Sequence, residues 1–288
     1  MTHLPVEFRT APWKDRTGRV SPLKAVTLVA LFIPAVLMLN DYVSGTWIIP
    51  VVGLIYWSGV WATIMLLLAL FITPARRIYR WRRGIEVRRM IGVGALAYTL
   101  AHVAFYFWLR FFDPSFIITE TATRFTLIVA TISFVGLVTL GLTSFDASIK
   151  WLGGGEWDRL HKITYAATGL AVLHFMLSPG AYAGLPFLMV GVFFWLMAWR
   201  ALDRRRLGER IGVLAGLTIA ATALTVLLEA VWPALMLGMD PWITLSWNFS
   251  LELGISPGWI VLALGAAVTL TAAIRQRFFL NGVAQAAK

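Results

Sequence analysis

Eight apolar runs organise this chain, at roughly 25–41, 54–73, 90–109, 125–143, 161–178, 184–199, 211–231 and 257–274. Each is close to the length a helix needs to cross a bilayer. Hydrocarbon offers no hydrogen-bond partners, so a single spanning segment must satisfy its own backbone, which an α-helix does. The expected fold is therefore an all-α, polytopic integral membrane helical bundle of about eight transmembrane helices. A break at Asp41 to Pro50, with Trp47, Trp57 and Trp61 nearby, marks a segment lying at the membrane interface between the first two runs.

The charges support a membrane reading over a nucleic-acid one. The 288 residues carry a net charge of +11, but binding nucleic acid would need a basic face on a soluble fold. If the runs alternate across the membrane, 23 of the 25 Lys and Arg fall on one side, and only Arg110 and Arg124 on the other. That asymmetry predicts a multi-pass membrane protein with both termini cytoplasmic. The basic stretches at 73–89 and 200–210 then face lipid headgroups. The polar N-terminal tail lacks the pattern of a cleaved signal peptide. Three regions are expected: a cytoplasmic tail over 1–21, a transmembrane core over 22–200, and an extension over 201–288 with two further spans.

Cysteine is absent, which excludes thiolate metal sites, iron–sulfur clusters, disulfides and covalent haem attachment. A metal must be held by His, Met, Tyr or carboxylate. Three of the four histidines, His102, His161 and His174, lie in apolar runs, where an imidazole is costly unless paired or ligating. The third and fifth spans run in the same direction. His102 lies about 12 residues into one, and His174 lies 13 residues beyond His161, which opens the other, about 20 Å along the axis. His102 and His174 thus share a level, an arrangement suited to holding haem between two helices.

His161 belongs near the inner surface, where a second haem would need another ligand. Fourteen residues before His102, on nearly the same helical face, stands Arg88, which pairs with a haem propionate but cannot ligate iron. On a regular helix His161 and His174 point about 140° apart. They face different partners, or the helix is irregular, with Gly169 one site for that.

Longer motifs accompany these histidines. They are LFITPARR at 70–77, Arg88-Arg89-Met90-Ile91-Gly92-Val93 leading to Tyr98 and His102, Leu142-Thr143-Ser144, and WLGGGEWDRLHKITYAATGLAVLH at 151–174. The last contains Trp157, His161, Tyr165 and His174 in a Trp-x₃-His-x₃-Tyr-x₈-His pattern. In these motifs the chain resembles the MsrQ (YedZ) family, the haem-binding membrane subunits of the periplasmic methionine-sulfoxide reductase system, within the ferric-reductase-like transmembrane group.

The resemblance implies that His102, His161 and His174 are haem-related and that b-type haem relays electrons across the bacterial inner (cytoplasmic) membrane; Arg88, from the helical count, and its neighbour Arg89 are the candidate cofactor-binding arginines. It implies a periplasmic molybdopterin partner as acceptor, with quinol or a cytosolic flavin reductase as donor. Members of the family usually end after six spans, and this chain adds about 80 residues.

Two other functions remain open at this level: a self-contained ferric or quinone reductase, and a transporter or scaffold whose histidines relay protons. Tyr98 and Tyr106 flank His102 as packing aromatics, Glu229 is expected to snorkel to the interface, and Met176, Met189 and Met197 read as apolar filler. Gly153-Gly154-Gly155 reads as a loop and not a phosphate cradle. The outer segment from Trp232 to Gly258 is expected to lie at the interface or to dock a partner.

Overall fold

The computed structural model describes residues 11–15, 17–178, 184–250, 252 and 254–286, with side chains to 278. His3 and most of the N-terminal tail lie outside the described residues. Among these residues there are twelve helices and no strand: α1 Pro22–Val43, α2 Pro50–Ile78, α3 Gly84–Leu109, α4 Pro114–Thr123, α5 Phe125–Leu142, α6 Asp146–Leu152, α7 Gly154–Leu160, α8 Ile163–Leu177, α9 Leu185–Asp203, α10 Ile211–Leu237, α11 Pro241–Trp247 and α12 Pro257–Ala286. The protein is an all-α polytopic membrane bundle. Proline opens α1, α2, α4, α11 and α12, where its missing N–H costs nothing and its fixed φ suits the first turn. Asp113 and Asp240 cap α4 and α11 by accepting backbone N–H bonds.

Among the described residues, seven helices are long and apolar enough to cross a membrane: α1, α2, α3, α5, α9, α10 and the Pro257–Phe278 part of α12. The remaining expected span falls on α8, whose 15 residues cover only about 22 Å. It is completed by α7. His174 Nδ1 lies 3.1 Å from Thr126 O, Ser133 Oγ donates to Ala167 O at 2.9 Å, and Trp157 Nε1 donates to Thr143 O at 2.8 Å. These contacts run in antiparallel order from one end of α5 to the other, so α7 and α8 together accompany a full span.

The core is built around α2. One cluster joins Val60, Leu67 and Leu70 to Val172, Leu196, Trp199, Leu214 and Val261; another joins Met65 and Leu66 to Ala95, Leu137 and Ala167. Large apolar side chains such as Phe32, Ile132, Ile219 and Leu270 face outward, as they do when lipid is the solvent. The last helices are fastened to the rest at the basic end, where Tyr79 Oη meets Thr271 Oγ1 at 2.8 Å and Arg275 Nη1 donates to Ile78 O at 2.6 Å.

At the opposite end, α11 folds back on α10, with Thr244 Oγ1 donating to Ala230 O at 2.9 Å. Glu229 is half-buried beside the start of α12, the end of the last span. Its Oε2 accepts from Ser256 Oγ at 3.0 Å and Gly258 N at 3.2 Å, serving free N–H groups at the start of α12.

A candidate metal centre between α3 and α8

His102 lies two turns before the end of α3, and its Nδ1 is 2.8 Å from Ile55 O on α2. A carbonyl only accepts, so Nδ1 carries the hydrogen and Nε2 keeps its lone pair. Gly59 makes this approach feasible: a Cβ there would come 3.0 Å from His102 Nδ1 and 3.1 Å from Cε1. His174, in the last turn of α8, is held the same way, with Nδ1–H donating to Thr126 O in the first turn of α5. Both imidazoles are thus fixed in the tautomer a metal ligand needs, by the outer hydrogen bond that orients such ligands.

The two ring centres are 6.2 Å apart, with planes inclined at 80°. Two metal–imidazole bonds of about 2 Å, each with a ring centre about 1.1 Å behind the nitrogen, span about 6.3 Å. Helices α3 and α8 both pack against α2 and α5, while making at most glancing approaches to each other. Two neutral imidazoles on separate helices, in a chain without thiolate, fit an iron porphyrin held from both faces.

His161 is placed differently. It caps α7 at a break in the helix over His161 and Lys162, so the irregularity anticipated at Gly169 occurs beside His161 itself. Its ring stacks on Trp157 with centres 3.9 Å apart, and its Nε2 is 3.2 Å from Thr143 Oγ1. That hydroxyl also lies 2.7 Å from Thr139 O, which takes its hydrogen, so Nε2–H donates to Thr143. Among the described residues, no group of three or more His, Cys, Asp or Glu is arranged around a metal position, and no second imidazole stands opposite His161. Arg89 Nη1 pairs with Asp146 Oδ1 at 2.6 Å.

Sequence reasoning missed the cluster at the far end of α3. Glu120, with its side chain 5% exposed, accepts from Arg110 Nη2, Arg124 Nη1 and Tyr106 Oη, each at 2.7 Å. The available signal was that Arg110 and Arg124 are the lone cations on their side of the membrane.

The ferric reductase like transmembrane component family matches residues 58–172, a stretch that contains His102, His161 and lies just short of His174. The protein-methionine-sulfoxide reductase heme-binding subunit MsrQ of Rhodospirillum rubrum is 34% identical over 200 residues, covering 68% of this chain and 94% of the relative. The chain belongs to the MsrQ family. MsrQ of Azospira oryzae is 32% identical over 196 residues, covering 66% of this chain and 82% of its own length. A magnetosome protein, MamZ of Paramagnetospirillum magneticum, is 28% identical over 195 residues but is covered over only 30% of its length. About a third of this chain lies outside what it shares with these MsrQ relatives. No solved structure matches.

Proposed function

We propose that this protein is a transmembrane electron-transfer subunit holding one b-type haem between His102 and His174. The observation that carries this reading is the pair of free Nε2 lone pairs at a ring separation of 6.2 Å, each imidazole oriented by a backbone carbonyl. Kinship with subunits named for haem binding supports it. With no cysteine in the chain, the haem is held without covalent links. Bound there, it supplies a carrier for single electrons within the bilayer.

The donor is quinol or a cytosolic flavin reductase, and the acceptor is a periplasmic protein of the methionine-sulfoxide reductase kind. The basic end of the bundle faces the cytoplasm, by the distribution of Lys and Arg. His161 and Arg88 lie at that end and serve electron entry, while His102 and His174 lie in the outer half. The region after residue 200 packs on α9 and acts as a scaffold remote from the haem. Proton relay by the histidines is disfavoured, because His102 and His174 spend their Nδ1–H groups on helix carbonyls that pass no proton onward.

A reduced-minus-oxidised visible spectrum of purified protein, with haem quantified per chain, tests the reading. One low-spin haem per chain is expected; a protein purified intact without haem and unable to take it up contradicts it.

A further inference from the structure

A porphyrin of this kind carries two carboxylates, and an ionised carboxylate left in hydrocarbon is costly unless a cation meets it. The level of His102 and His174 limits which cations qualify. Arg88 lies 14 residues before His102, about 21 Å down the helix. A propionate and an arginine side chain together reach on the order of 15 Å from the iron. Arg89 is further occupied by Asp146. The basic end of α3 is therefore too far away to serve a haem at the His102 level.

At the other end, Arg110 follows His102 by eight residues, about 12 Å. It and Arg124 are the two Lys or Arg residues at that end of the bundle. Both guanidiniums converge on the one carboxylate of Glu120, which Tyr106 also serves. Two positive charges thus share one negative charge, although the cluster is half-buried and Glu120 is nearly inaccessible. Arg110 Nε is buried without a hydrogen-bond acceptor among the described residues. A buried, unpaired donor on a guanidinium that shares its one carboxylate with a second arginine defines a place for a second carboxylate.

We propose that Arg110, held in position by Glu120 and Tyr106, receives a propionate of the haem bound between His102 and His174, so that the propionate edge faces the α3–α5 end of the bundle. This rests on the haem reading above. It replaces Arg88 and Arg89 as the propionate partners of this haem and gives Tyr106, one turn beyond His102, a positioning role.

The test compares protohaem with its dimethyl ester, in which both carboxylates are neutral. Purified full-length wild-type, Arg110→Gln, Arg110→Lys and Arg88→Gln chains are loaded with either form, and haem loss to a soluble scavenger is timed. Esterification should speed loss from the wild type about tenfold or more. Arg110→Gln should lose protohaem at nearly the wild-type ester rate and show little further effect of esterification; Arg88→Gln should keep the full effect. An undiminished ester effect in Arg110→Gln, or its loss in Arg88→Gln, overturns the proposal. If Arg110→Gln does not fold, Arg110→Lys should alter the propionate bending band in resonance Raman spectra, and an unmoved band overturns it equally. Absence of His102-dependent low-spin haem from every chain would instead remove the underlying haem reading.

Discussion

Gly59 and His102 are packed so closely that a methyl group on Gly59 would sit 3.0 Å from the imidazole Nδ1. The glycine lets the ring reach the carbonyl of Ile55, one turn earlier on the same helix. Gly59→Ala must shift the ring or the helix, at a cost of about 1–3 kcal/mol, and Gly59→Val must do so more severely. Haem retention should fall about tenfold in the alanine variant. Gly92→Ala on α3, where a Cβ meets nothing within 4 Å, should retain haem normally. Haem-loss rates for the two variants check the contrast, and equal rates would remove Gly59 from the site.

Glu120 should matter to stability out of proportion to its place in a connecting segment. Glu120→Gln takes the carboxylate from a part-buried Arg110, while Arg124, 64% exposed, stays solvated, a loss of about 1–3 kcal/mol. Thermal unfolding in detergent should fall by about 2–6 °C. Glu156→Gln, which breaks an exposed pair with Arg159, should change stability by about 0.5 kcal/mol or less. Similar midpoints for both variants would contradict the assignment of the cluster as a buried network.

The proposed orientation makes a labelling prediction, and the absence of native cysteine provides a clean background. Glu120 itself is unsuitable as a reporter because it is buried. Cysteine placed at Ser115, on the exposed face of α4, should react with an impermeant thiol reagent in spheroplasts. Cysteine at Arg83, 61% exposed at the basic end, should react only after the membrane is opened. The reverse pattern would invert the topology.

The last three helices should be separable from haem binding. Helix α9 meets α10 and α12 at Gly191, where a Cβ would lie 2.2 Å from Thr225 Oγ1 and 2.9 Å from Val261 Cγ2. Gly191→Leu should force the helices apart and cost about 1–3 kcal/mol, measured as a lower unfolding midpoint, while the low-spin spectrum persists. Loss of the spectrum in otherwise folded protein would tie the extension to the haem site.

Much of the architecture is legible in the sequence, for a physical reason: a lipid-spanning helix must be long and apolar, and this leaves a strong linear signal. The runs at 125–143 and 211–231 fall on α5 and α10. The common level of His102 and His174 follows from counting residues along parallel helices. What orients them does not. Ile55 O and Thr126 O are backbone atoms on neighbouring helices, and Gly59 acts through the side chain it lacks, so none leaves a mark at the histidines themselves. The partners of Glu229 are hidden for a related reason: they are the Gly258 N–H and the Ser256 hydroxyl, near the start of a helix 29 residues away. The break at His161 arises where α7 ends, whereas the sequence offers Gly169 as one site of irregularity because glycine is the more visible local signal.

The central claim is that His102 and His174 ligate one haem iron from opposite faces while His161 does not. Visible spectra of His102→Ala, His161→Ala and His174→Ala, each normalised to folded protein, test it most directly. The low-spin spectrum should vanish, or change to that of a readily lost five-coordinate haem, in the His102 and His174 variants and persist in the His161 variant. A near-normal low-spin spectrum in His174→Ala, or its loss only in His161→Ala, would contradict the pairing.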